Sequence, residues 1–352
     1  MDFLFLGGNK VNNRETVFEM MNHLTEDGHI LGRVVTEQRG AFMVMTKTGE
    51  VLSKISGKLR FETVQREDLP AVGDWVHLSG EGAIIEKVLP RTSKFSRKKA
   101  GNEAEEQIIA TNIDTVFILS SLNDDLNHKR MERYLLLCWE SGANPVIVLT
   151  KADTCTEIEE KKREVEDTLL GVKVITISAV NQEGIEELLP YLDKGKTVAL
   201  VGSSGVGKST LTNLLVGYDV QKTKEIRESD DKGRHTTTHR ELFLLENGAS
   251  IIDTPGMREI QLWQGQEGLS THYKDVEEYA LHCRFSDCRH EDEPGCGIQM
   301  AIEEGSLSVE RFEHYQKLQR EIAYMERRGN KRLESLERKK WKSIGKQRKL
   351  KY

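Results

Sequence analysis

The chain of 352 residues has no long apolar run. A membrane-spanning helix needs about 18 apolar residues in succession, and here charged residues interrupt every candidate, so a helical membrane protein is excluded. The N-terminal run Phe3 to Leu6 is short and has no cationic lead, so no signal peptide is expected and the location expected is cytoplasmic. The five cysteines are an odd number, and without a secretory leader they do not make a disulfide framework; their spacing needs another explanation. With only six prolines and no repeat of fixed period, long low-complexity linkers and solenoids are excluded as well. What is present, 31% charged and 37% hydrophobic residues, is the composition of compact modules, with length for two or three domains.

Charge is unevenly placed. The net charge is -6, yet Arg327 to Tyr352 holds twelve Lys or Arg against Glu334 and Glu337, which leaves a +10 tail on a -16 body. An acidic body with a basic arm points to an anionic partner reached through that end, nucleic acid being the commonest, or else to a solvated helix face.

Five short alternating runs follow one another between Gly28 and Pro90: Ile30 to Val35, Ala41 to Thr46, Val51 to Ile55, Asp74 to Leu78 and Ala83 to Val88. This spacing predicts a small closed β-barrel of the OB type. Such a barrel either binds oligonucleotides or only packs against its neighbour, since fold does not dictate use. Residues 1–27 carry a weak helical pattern around Val17, Met20, Met21 and Leu24, with no role assigned. Arg91 to Lys99 has five positive charges and no acid, and with the polar stretch after it reads as a linker, either a solvated connector or a phosphate contact.

From Gln107 the pattern becomes buried strands alternating with amphipathic helices. Thr115 to Ser120, Pro145 to Thr150, Val174 to Ile177 and Thr197 to Val201 are the strands; Met131, Tyr134, Leu135 and Cys138 form one buried helical face. The alternation predicts a mostly parallel sheet covered by helices, with Cys138 a core thiol.

Gly202-Ser203-Ser204-Gly205-Val206-Gly207-Lys208-Ser209-Thr210 stands directly between the strand Thr197 to Val201 and a helical stretch, which is the required context of a phosphate-binding loop. Glycines let successive N–H groups and the helix N-terminus close on phosphate oxygens. Lys208 is expected to reach the β and γ phosphates and Ser209 to ligate Mg²⁺. Asp253, in Asp253-Thr254-Pro255-Gly256 at the end of a further apolar run, is the acid expected to orient that metal. Asn247-Gly248 predicts a hairpin leading into this run.

Base choice is expected from Thr150-Lys151-Ala152-Asp153 at a strand end. A carboxylate there accepts from both N1–H and N2–H of guanine, a donor pair that adenine lacks, so GTP is expected over ATP. Ser178 and Ala179, at the next strand end, are placed to support the base.

In ordinary small GTPases the phosphate loop precedes the base-reading segments; here it follows them. With a barrel in front and a Cys/His cluster behind, the chain from about 28 to 330 resembles the bacterial ribosome small-subunit-dependent GTPases known as RsgA or YjeQ. One difference from that family is Thr150, where its base motif usually begins with asparagine; Lys151 and Asp153 match. The resemblance implies a multidomain architecture: an N-terminal extension (1–27), an OB-fold β-barrel (28–90), a basic linker (91–106), a circularly permuted α/β P-loop GTPase domain (107–265), a C-terminal α-helical zinc-binding domain (266–330) and a basic tail (331–352).

Cys283, Cys288, His290 and Cys296, spaced C-x4-C-x-H-x5-C, suit one closed, structural Zn²⁺ site. His282 lies outside the family's ligand pattern and reads as a surface residue, and Cys155 as a loop thiol. In many GTPases a glutamine after the glycine of Asp-x-x-Gly orients the attacking water; Met257 holds that place, and a thioether cannot do so. The resemblance offers His235, in Gly233-Arg234-His235-Thr236-Thr237-Thr238, as the catalytic group, with one of Thr236, Thr237 or Thr238 completing the Mg²⁺ shell. The segment Arg258 to Gly268 would then carry nucleotide state to the C-terminal domain. The partners implied are GTP and GDP, the small (30S) ribosomal subunit and its rRNA, with no membrane and a monomeric chain. The function implied is subunit-stimulated GTP hydrolysis in late subunit maturation. A nucleotide-gated scaffold with negligible turnover and an unrelated P-loop ATPase are the competing readings.

Overall fold

The computed structural model describes residues 10–324, except 39, 64–65, 99–105, 124–125, 170, 218–239, 258–268, 271, 292 and 310. The chain divides into two compact units, Met1–Arg97 with Glu106–Ile260, and Lys98–Glu105 with Gln261–Tyr352.

The first unit opens with helix α1 (Lys10–Met20) and then a barrel of β1 (Ile30–Gln38), β2 (Ala41–Thr46), β3 (Glu50–Ile55), β4 (Trp75–Ser79) and β5 (Ile84–Val88), with helix α2 (Gly57–Glu62) between β3 and β4. The strand order β1-β2-β3-β5-β4 closes through a β1–β4 pairing, and β3 and β5 run parallel. This is the expected five-stranded barrel. Val34, Phe42, Val44, Val76, Leu78 and Ile85 fill its core.

After β6 (Lys94–Lys98) and β7 (Glu106–Thr111), which pair with each other, comes the α/β sheet. Its elements are β8 (Thr115–Ser121), α3 (His128–Ser141), β9 (Asn144–Thr150), α4 (Ile158–Thr168), β10 (Lys173–Thr176), β11 (Thr197–Gly202), α5 (Lys208–Val216), β12 (Glu241–Leu244) and β13 (Ser250–Asp253). The strands lie in the order β10-β9-β8-β11-β13-β12, parallel from β10 to β13. β12 returns antiparallel through the Asn247-Gly248 turn. α3 forms where expected: the Asn127 side chain caps it by accepting from Arg130 N–H, and left-handed Gly142 ends it. Met131, Tyr134, Leu135 and Cys138 are buried as one face.

Barrel and sheet are one body. Thr36 of β1 pairs with Glu241 of β12, joining the eleven strands into one sheet. Arg33 crosses this junction, buried, donating to Thr197 Oγ1 at 2.7 Å and lying 5.1 Å from the Trp75 ring. Burial holds its guanidinium down to about 10 while Asp114 and Asp74 oppose the shift. Helix α1 packs here too. Phe18 meets Trp75 edge-on at 5.4 Å and Val17 lies beside Gly248, so part of the segment without an assigned role is a wedge between barrel and sheet.

The segment expected as a basic linker is a strand at its centre. Phe95 is wholly buried, Lys94 pairs with Glu106 of β7 at 2.9 Å, and Arg91 makes a bidentate pair with the fully buried Asp74 carboxylate (2.7 and 2.8 Å) while donating to Leu69 O. The Arg91 and Lys94 charges are thus paired within the protein.

The second unit holds α6 (Lys274–Ala280), α7 (Gly297–Glu303) and a helix over 311–324. Arg311 grips Asp275 at 2.8 and 2.9 Å and stacks 4.7 Å from the Tyr273 ring. Burial works against ionisation of Asp275, but the Arg311 pair outweighs it and holds the carboxyl below its usual range. Phe312, Leu318 and Ile322 are buried along one helix face, with Tyr315 half-buried beside them. The basic tail lies outside the described residues.

Candidate functional site

Four strand ends place the polar residues on one rim. β11 ends at Gly202 and α5 begins at Lys208, so the intervening turn is the loop expected to hold phosphate. Gly202 has φ 151°, and a Cβ there would sit 2.5 Å from Leu119 O. The loop is held from its far side by Gly256, where a Cβ would come within 2.7 Å of Ser204 N. Only hydrogen fits at either place.

Lys208 is buried, and its ammonium donates to Gly202 O at 3.0 Å and Ser203 O at 2.6 Å. Burial pushes it down to about 8, and the Asp253 carboxylate opposes the shift. A cation is thereby fixed at the mouth of the loop and the helix N-terminus, a ready anion site. Asp253 ends β13 beside β11, and Thr254 Oγ1 donates to Leu200 O at 2.6 Å, anchoring the acidic strand end to the loop strand.

The base-reading segment reaches the same loop. Thr150 Oγ1 donates to Val206 O at 2.6 Å, a direct tie between β9 and the phosphate loop. The position that departs from the family pattern therefore still makes a supporting contact. Lys151 takes a left-handed backbone (φ 60°), turning the chain so that Ala152 N–H reaches Ile177 O at 3.2 Å. Ser178, fully buried, donates to Asp153 Oδ1 at 2.7 Å and accepts from Asn181 N–H at 3.1 Å. The exposed Asp153 carboxylate is thus aimed by the end of β10, next to Ala179.

One participant has no local signature in the sequence. Tyr134 reads only as a core residue of α3, yet its hydroxyl donates to Met257 O at 3.3 Å, next to Gly256. Met257 is buried, and its N–H donates to Gly202 O at 3.1 Å, so it clamps the loop. His235 and Thr236 to Thr238 lie outside the described residues, as do Arg258 to Gly268.

In the second unit Cys283, Cys288, His290 and Cys296 converge, their ligand atoms all within 4.8 Å of one another. Cys283 Sγ is 3.9 Å from Cys296 Sγ, and His290 Nδ1 is 3.4 and 3.5 Å from these two sulfurs. Tetrahedral zinc separates such donors by about 3.8 Å (S to S) and about 3.6 Å (S to N). The donor set fits that ion. Gly297 N–H donates to Cys283 Sγ and Gln299 Nε2 to the backbone O of His290, second contacts that hold the ligands in place. His282 is exposed, as its reading required, and Cys155 is half-buried.

A phosphate loop, an acidic strand end and a base-reading turn that precedes both in the chain define a circularly permuted P-loop GTPase, here joined to a closed five-stranded barrel. A family model described as RsgA GTPase matches residues 88–263, and the small ribosomal subunit biogenesis GTPase RsgA 2 of Lactiplantibacillus plantarum is 51% identical over 302 residues, 85% of either chain. The chain belongs to the RsgA GTPase family. RsgA 1 of Oceanobacillus iheyensis is 44% identical and spans 96% of this chain and 99% of its own. A second model, described as 50S ribosome-binding GTPase, matches residues 197–331, from the phosphate-loop strand onward. Among solved structures, YjeQ from Thermotoga maritima superposes with a TM-score of 0.57 at 28% identity, covering 84% of this chain and 99% of that one. YloQ, described as a circularly permuted GTPase, shares the fold with a TM-score of 0.56 at 21% identity, covering 84% of this chain and 96% of its own. Among the described residues no helix is long and apolar enough to cross a membrane.

Proposed function

We propose that this chain hydrolyses GTP to GDP and phosphate while bound to the small ribosomal subunit, late in that subunit's maturation, and that the subunit stimulates turnover. The observation that supports the nucleotide pocket is the Thr150 to Val206 bond, which gathers base-reading and phosphate-binding segments although the chain visits them in reversed order. The relatives that span most of the chain are named for small-subunit biogenesis, which favours that partner over the large subunit of the shorter family match.

In this reading the N–H groups of Gly202 to Thr210 hold the phosphates and Lys208 neutralises charge that builds on them. Asp153 selects guanine, with Lys151, Ser178 and Ala179 as its surroundings. Ser209 and Asp253 would hold Mg²⁺, which would offset the negative charge of the phosphates. His235 orients the attacking water. Cys283, Cys288, His290 and Cys296 hold one structural Zn²⁺ that fixes the loop before α7. The segments 28–90, 107–265 and 266–330 act as barrel, GTPase and zinc domains of a monomeric cytoplasmic chain, and the basic tail 331–352 meets rRNA phosphates. GTP favours the docked form, and hydrolysis releases it.

Purified small subunits are expected to raise steady-state GTP turnover by about tenfold or more, with large subunits inert. His235→Ala is expected to slow single-turnover hydrolysis about a hundredfold while GTP still binds. Turnover indifferent to small subunits would overturn the proposal, and unchanged hydrolysis in the variant would remove His235 from it.

A further inference from the structure

Away from the nucleotide rim and the cysteine cluster, Glu26, His29 and His77 gather where the turn before β1 meets β4 of the barrel. Their ligand atoms all lie within 4.8 Å of one another. His77 is buried, and its Nε2 lies 2.8 Å from Leu24 O. A carbonyl only accepts, so Nε2 carries the hydrogen and the Nδ1 of the neutral ring presents a lone pair. That lone pair faces Glu26 Oε2 at 3.1 Å, one acceptor against another.

A proton on His77 Nδ1 would reconcile these two atoms alone. His29 asks for more: its ring stacks on His77 with centroids 5.4 Å apart, and its Nδ1 is buried without a hydrogen-bond partner. The Lys87 ammonium, 3.8 Å from Glu26 Oε2, is itself largely exposed. A cation that accepts lone pairs would satisfy all three groups together.

We propose that Glu26, His29 and His77 form a second metal site, for a borderline divalent ion such as Zn²⁺. Two imidazoles and a carboxylate suit that class better than Mg²⁺ or Ca²⁺, which take oxygen. Tetrahedral ligation by nitrogen and oxygen separates donors by about 3.3 Å, close to the observed Glu26 to His77 spacing, and half-exposed Glu26 is free to adjust. The His77 to Leu24 bond is the outer contact that fixes a ligating ring. Three protein ligands leave the fourth position to water. The ion ties the segment after α1 to the barrel, and so steadies the wedge that α1 makes beside β4.

The test uses the full chain. Co²⁺ titration is expected to show two equivalents bound, one with a thiolate charge-transfer band from the cysteine cluster and one with d–d absorption but no thiolate band. Zinc counted by mass spectrometry after desalting is expected to fall from two per chain to one in the Glu26→Gln/His29→Gln variant, with the thiolate band retained. A single equivalent in the unaltered chain, carrying the thiolate band, would overturn the site. Two equivalents kept by the variant would overturn it equally. Loss of the thiolate band alone would instead strike at the cysteine cluster, so the two sites fail separately.

Discussion

Lys208→Ala is expected to lower kcat/KM for GTP by about 10³-fold, roughly 4 kcal/mol, the scale of removing one aligned donor from a developing negative charge. The size follows from its position. The ammonium is buried and bonded to Gly202 O and Ser203 O, so the loop itself aims it at the rim. Burial already disfavours its charge, pushing it down to about 8, and the Asp253 carboxylate opposes that. Such a group contributes little to folding but much to an anion placed against it. The loss should therefore appear in steady-state kinetics while the thermal unfolding midpoint moves little. Activity within tenfold of the parent would show that the loop's N–H groups suffice.

Asp153→Asn is expected to weaken GTP binding by about 10²- to 10³-fold, the combined value of two hydrogen bonds to a carboxylate. The carboxylate is held by Ser178 Oγ at 2.7 Å, and Ser178 by Asn181 N–H, so little rearrangement is open to it. Asparagine keeps the acceptor but turns a second donor toward guanine, which already presents donors. Xanthosine triphosphate carries a carbonyl where guanine has its amino group, and is expected to bind this variant better than GTP. Equilibrium binding with fluorescent analogues separates the outcomes, and equal losses for ATP and GTP would mean that Asp153 acts on the fold rather than on the base.

Where function is written in local backbone chemistry, the residues announce it. The phosphate loop needs Gly202 and Gly207 at fixed spacing between a strand and a helix, and the cysteine cluster closes within one short segment. Val34, Val44 and Leu78 of the barrel strands face its core, and the opposite faces of β1 and β4 are buried as well, around Arg33 and Trp75. What escaped depends on partners distant in the chain. β6 looks like a solvated charge run, but its alternation puts Phe95 inside while Lys94 finds Glu106 on the neighbouring strand. α1 has no clean apolar stripe because it is wedged between barrel and sheet, burying the adjacent Val17 and Phe18 and leaving Met20 half-exposed. Arg33 sits mid-strand at a buried junction whose acceptors run from Gly73 to Ser250, and no periodicity marks it. The same holds for His77, whose partners precede β1.

The decisive measurement is calorimetric titration of the full chain with Mg²⁺·GTP and, separately, Mg²⁺·ATP. One GTP is expected per chain, with ATP bound at least about a hundredfold more weakly, since adenine gives the Asp153 carboxylate no donor pair. If no GTP binds, or if ATP binds as tightly, the rim formed by Thr150, Asp153 and Lys208 is not a guanine-nucleotide pocket.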